Sequence, residues 1–179
     1  MATIYFALAD PARLRSYSGA AGALPVGQPG QPSLYFVRPD DAASLQHLQA
    51  YFPDGVMGVA QSGFIPFAVS AETPRTEGLT AVNTPLGAQI QLVGWSLTPL
   101  ENQLRVTLAW QALAPLSLDY TAFVHLLGAD GPPLAQTDRP PGGHPTSDWR
   151  PGEIVVDTFV VDLPSDLPPG RYALQTEFL

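Results

Sequence analysis

The side chains with chemistry to offer crowd into positions 119–152, DYTAFVHLLGADGPPLAQTDRPPGGHPTSDWRPG. His125 sits in a strand-like run, on the same side as Phe123 and Leu127. A neutral imidazole so placed commonly bonds a neighbour, and Asp138, across the turn, is the natural one, so His125 and Asp138 are expected to form a structural polar pair. A small hydrolase built on the same two residues would instead need a concave pocket joining them. Tyr120, Trp149 and Trp95 are the candidate glycan contacts, because an aromatic ring can stack on a sugar face; the commoner use of an indole here is to anchor a loop. Asp138 with Asp119, Asp130, Asp148 or Asp157 could gather oxygens around calcium, but the spacing matches no calcium loop and turn-capping is favoured. Ser147 as a nucleophile would need a base, and His144 is the nearest. No catalytic residue, metal ligand or cofactor motif is therefore assigned.

The elements that must hold these residues are strands. YTAFVHLL and the segment around AQTD read as two strands joined by a tight Asp130-Gly131 turn, followed by a long loop. Pro140-Pro141-Gly142-Gly143 fixes the path of that loop, and Thr146 or Ser147 stands to cap a turn within it. LRVTLAW alternates, with Leu104, Val106, Leu108 and Trp110 on one face and Arg105, Thr107 and Ala109 on the other, as a half-buried antiparallel strand does. AQIQLVGWSL, EIVVDTFVVDL and RYALQTEF repeat the pattern between Pro, Gly and Asp turns. With no helix intervening, residues 76–179 are expected to form a jelly-roll-like antiparallel β-sandwich.

Residues 1–75 read differently, as a small α/β unit of two short helices and about four strands. TIYFAL is strand-like; Asp10 and Pro11 then start a short helix, PARLRSY, ahead of a Gly/Ala/Pro-rich loop. SLYFV is a strand. Asp40 and Asp41 cap a second helix with Leu45, Leu48 and Phe52 on one face and His47 toward solvent, ended by Pro53-Asp54-Gly55 before strands around VMGVA and FIPFAV. The polar TPRTEGL segment suits a boundary. The fold class expected overall is mainly β.

Composition narrows the function classes. The chain has 179 residues, 45% hydrophobic and 13% charged, with no cysteine. That length buries roughly 70% of the unfolded surface, enough for one good core or two small ones. No apolar run approaches the ~18 residues of a membrane span, so a soluble piece is expected. Eight basic residues, all arginine, against sixteen acidic ones give a net charge of −8. Nucleic acid is excluded as a partner, since no basic stripe is available for phosphates. The absence of cysteine removes disulfides, thiolate metal sites and cysteine nucleophiles while leaving the compartment open.

The string formed by Trp110, Gln111, Pro115, residues 119–126, Asp130-Gly131, Ala135-Gln136, Asp138, 145–149, 151–153, Asp157, Leu163-Pro164, Asp166 and 168–172 resembles the soluble C-terminal region of bacterial membrane glycosyltransferases of the dolichyl-phosphate-mannose–protein mannosyltransferase type, family 39. The match runs from about Gly94 to Tyr172; LADPARL and LQAYFPDG resemble the preceding extracytoplasmic stretch more weakly. In that family the catalytic acid lies in a loop between membrane helices, and this chain carries none of those helices. The resemblance thus implies a non-catalytic accessory domain on the extracytoplasmic face of the membrane. Its expected partners are the membrane-embedded part of the parent glycosyltransferase, which uses a lipid-linked sugar donor, and an acceptor protein or glycan. The alternative is a free-standing carbohydrate-binding or cell-surface module.

Overall fold

A computed structural model describes residues 24–25, 30–70, 76, 78–143 and 145–179. The expected first strand, the Asp10-capped helix and His144 lie outside the described residues. The described chain is mainly β, with antiparallel pairing throughout. It runs β1 (Leu24–Pro25), β2 (Ser33–Val37), α1 (Ala42–Tyr51), β3 (Val56–Met57), β4 (Ile65–Val69), β5 (Thr80–Leu86), β6 (Ile90–Pro99) and β7 (Gln103–Ala112). There follow β8 (Ala122–Leu127), β9 (Ala135–Arg139), β10 (Ile154–Asp162) and β11 (Ala173–Phe178).

These strands form a five-stranded sheet in the order β1-β10-β7-β6-β5, a three-stranded sheet β11-β8-β9, and a small sheet β2-β4-β3. The first two face each other as a sandwich. Alternation in β7 turns Val106, Leu108 and Trp110 inward with Val155, Phe159 and Val161 of β10, and Ala122 and Val124 of β8 close the same buried cluster. Trp110 is fully buried, with the Phe178 ring edge-on at 4.8 Å.

The other face of the larger sheet is also covered. Ala109 of β7 and Ile154 and Val156 of β10 pack with Val37, Leu48, Phe52, Phe67 and Val69. β7 was expected to be half-buried; instead its small Ala109 lets a second layer approach. That layer is α1 with the small sheet. Asp41 begins α1 as read from sequence, its carboxylate accepting from the Ser44 amide at 3.1 Å and the Ser44 hydroxyl at 2.7 Å. Those two bonds hold the Asp41 carboxyl below the usual carboxylate range, the hydroxyl contributing most. Leu48 and Phe52 face inward as the spacing implied.

Two expectations need correction. His47 is half-buried rather than solvent-facing, and desolvation lowers its pKa. β5 was not anticipated, because TAVNTPL contains Pro85 and a break in register between Ala81 and Thr84; both are tolerated on an edge strand, which β5 is.

Candidate functional site

β8 and β9 form the expected hairpin, but the connection is not the tight turn expected: residues 128–134 join the strands, with Gly131 among them at φ +99°, a conformation glycine adopts without strain. Phe123 lies opposite Asp138 and His125 opposite Gln136, so the four share the outer surface of the three-stranded sheet. His125 Nε2 is 3.0 Å from Asp138 Oδ1, and the imidazole stacks on the Phe123 ring with centroids 4.3 Å apart. Gln136 donates to the second Asp138 oxygen at 3.1 Å. Both members of the pair are partly exposed, on a flat strand surface.

After β9 the chain enters the long loop through Arg139. Its guanidinium grips fully buried Asp157 with two bonds, Nη2 to Oδ1 at 2.7 Å and Nη1 to Oδ2 at 2.8 Å. The Thr158 amide donates to Oδ1 at 2.7 Å and the Gly142 amide to Oδ2 at 2.8 Å. Arg139 also donates to the Thr158 carbonyl at 2.8 Å and lies 4.2 Å over the Phe159 ring. A buried carboxylate is tolerable only when so fully partnered. The sequence held a signal for it: Asp157 interrupts IVVDTFVV at an inward-facing position of a period-two strand, and in a chain without lysine the permanently charged partners on offer are its arginines. Reading Asp157 as a turn cap or calcium ligand missed this, and Arg139 was not singled out.

Farther along, the buried Thr146 hydroxyl donates to the Leu118 carbonyl at 2.9 Å and accepts from the Tyr120 amide at 2.8 Å. Asp119 Oδ1 accepts from the Ser147 hydroxyl at 2.6 Å and the Ser147 amide at 3.1 Å, which holds the Asp119 carboxyl below its ordinary range. Ser147 is thus bonded to a turn carboxylate. Trp149 is 3% exposed, its indole edge-on to Phe178 at 6.3 Å, and the Gly152 amide then bonds the Ala112 carbonyl at 2.7 Å. Trp149 therefore anchors the loop in the core; the expectation that it offers a sugar a stacking face is corrected, because neither side of the ring is open.

The remaining candidates are dispersed. Trp95 is 37% exposed on β6, whereas Tyr120 lines an open hollow of about 200 Å³ with Leu86, Ile90, Leu116, Phe178 and, at its rim, Glu177. A hollow of that size is below the usual range for a small-molecule pocket and fits at most one sugar ring. Neither His125 nor Asp138 lines it. Asp119, Asp130, Asp138, Asp148 and Asp157 do not converge: among the described residues no three His, Asp or Glu side chains come together in a way that could hold a metal ion. Among the same residues, no helix is long and apolar enough to cross a membrane. No family model matches the chain, and neither a curated protein nor a solved structure matches it.

Proposed function

We propose that the chain is a non-catalytic accessory domain on the extracytoplasmic side of a membrane-embedded glycosyltransferase that uses a lipid-linked donor, where it contacts the acceptor protein or its glycan. The observation that carries this reading is the ordered string of residues from Trp110 to Tyr172, together with what its members do. Asp119 and Tyr120 meet Thr146 and Ser147, and Asp157 accepts from the amide of Gly142 in the loop that precedes them. A string whose parts interlock in this way specifies one built loop, as a supporting domain requires. Of the three aromatic candidates, Tyr120 is the one bordering a hollow, so it is the assigned glycan contact.

Three measurements test the reading. The reading frame upstream of Ala2 should encode a series of long apolar helices; a secretion signal alone would move the chain to the free-standing binding module. Oligosaccharides titrated into the purified chain should shift NMR resonances around Tyr120 weakly, and Tyr120→Ala should abolish those shifts. Sugar transfer or hydrolysis by the chain alone overturns the non-catalytic assignment.

A further inference from the structure

The larger sheet of the sandwich extends past the smaller one on one side. β9 and β8 lie over β10, with the Thr137 hydroxyl donating to the Val160 carbonyl at 2.7 Å, while Phe178 of β11 reaches Trp110 of β7. The end of β11 also borders the turn between β5 and β6, where Glu177 and Phe178 line one hollow with residues 86–90. β6 and β5 therefore overhang the β11 side. Trp95 and Leu97 of β6 stand opposite Leu108 and Val106 and so point to the sandwich interior, yet they are 37% and 40% exposed. With Leu174, exposed on the interior side of β11, they form an apolar shelf beside the smaller sheet.

The shelf runs along an open backbone edge. Among the described residues β11 pairs with β8 alone. Leu179 and Thr121 exchange both backbone bonds, at 2.8 and 3.0 Å, so by antiparallel alternation Glu177, Gln175 and Ala173 also bond to β8. The amides and carbonyls of Leu174 and Thr176 then point away from β8, to the shelf side. ALQTEF contains no proline or lysine and pairs without a bulge, so it lacks the devices that usually blunt an edge. On the interior side of the same strand the Thr176 hydroxyl is buried without a hydrogen-bond partner among the described residues.

Backbone donors and acceptors at strand spacing are matched by another strand. A second copy of this chain cannot supply it, because the two-fold that pairs β11 with itself would drive the copy's larger sheet into the overhanging β6 and β5. A single extended segment meets no such obstacle. Its side chains follow position by position if it runs antiparallel, as every strand pair among the described residues does. Opposite Leu174 it lies over Trp95 and Leu97 and must be apolar. Opposite Thr176 a hydroxyl satisfies the orphaned group, as Thr158 does for Thr107 at 3.1 Å in the larger sheet. Opposite Glu177, which is exposed and forms no ion pair among the described residues, a cation fits, and the net charge of −8 attracts the same sign. We infer that the free edge of β11 binds an extended protein segment reading basic, hydroxyl-bearing, any residue, apolar, as an added strand of the smaller sheet. That the acceptor protein supplies this segment rests on the proposed function, in which the hollow at the end of the same edge takes the acceptor's glycan.

The probe is a blocked peptide with the core Lys-Thr-Thr-Val, titrated into the 179-residue chain while backbone amides are followed by NMR. It should bind below about 1 mM and slow amide exchange at Leu174 and Thr176 as the complex fills. Methylating the two peptide amides that face Leu174 and Thr176 should abolish binding. Replacing the lysine by glutamate should weaken binding about threefold, and Glu177→Lys should reverse that preference. Glu177 is exposed, so circular dichroism should confirm an unchanged fold in the variant. No binding by about 1 mM overturns the inference, as does binding indifferent to amide methylation. Protection of the two amides without peptide overturns it equally: independent of concentration, it means the edge is closed within one chain; rising with concentration, that a second copy fills it. The peptide carries no sugar, so its failure removes this inference alone, whereas failure of the oligosaccharide titration removes the glycan contact at Tyr120.

Discussion

The inner face of the five-stranded sheet is built from large side chains, Trp110, Phe159 and Leu108, and encloses a bidentate ion pair; the outer face is built from Ala109, Val156 and Ile154 and encloses a helix and a small sheet. Both faces belong to the same two strands, and alternate residues of β7 and β10 serve each. The inner face gains its cover from β8, β9 and β11, all of which follow β7, the outer face from residues that precede it. What differs is how each cover is fixed: the inner one by hydrogen-bonded anchors along the loop, the outer one mainly by apolar contact.

Removing the outer cover should have the largest effect. A division of the chain near residue 75, if it holds, predicts that a 76–179 piece keeps a β-type circular dichroism spectrum and a cooperative melt, although β1 and the α1 layer contribute to the same sheet and cluster. Uncovering Ile154, Val156 and their neighbours should still cost on the order of 5 kcal/mol. An unfolded piece would show that the sandwich cannot stand without residues 1–75; an unchanged melting temperature would show that the outer face contributes nothing.

On the inner face, Asp157→Ala should lose about 3–4 kcal/mol in denaturant titrations, because it strands the Arg139 guanidinium and releases the Gly142 amide. Replacing the pair together, Arg139→Met with Asp157→Leu, should recover most of that loss while leaving the loop less ordered. If the single and double variants are equally unstable, packing of Arg139 over Phe159 matters more than charge.

A third measurement returns to the outer face. Burial raises the Tyr35 and Tyr51 phenols to about 12. A folded pKa above the unfolded value of about 10 favours the neutral form, so the stabilisation is whole below pH ~10 and is lost as pH rises toward 12, by on the order of 2 kcal/mol per tyrosine. Phenolate absorbance should rise together with loss of the fold; two tyrosines titrating near 10 in the intact protein would place them at the surface. Smallest of all should be His125→Ala, which touches neither face: about 1 kcal/mol, since the Asp138 pair is partly exposed and Asp138 keeps Gln136 as a donor.

Much of this was legible where local chemistry and tertiary environment agree. The period-two pattern of β7, the β8–β9 hairpin and the Asp41 cap each follow from neighbours in sequence. Ala109 was not legible as a core residue because a small side chain on the second face of a strand looks the same whether water or a helix lies over it. Trp149 misled for the converse reason: a tryptophan in a Pro-rich polar loop looks exposed until the depth of the loop's seat is known. Pro85 concealed β5, since a proline argues against a strand everywhere except at an edge.

The pairing of Leu24 with Val156 carries a consequence for the order of assembly. A chain made from its N-terminus presents β1 to its surroundings until synthesis has passed Val156, the partner position on β10. The α1 layer can form early from its own neighbours, yet the apolar surface it offers to Ile154 and Val156 waits equally long for its mate. Contacts so distant along the chain slow folding, because the intervening loop must be closed before they yield any stabilisation. Nascent chains halted before β10 should therefore be the species most exposed to aggregation and to capture by chaperones.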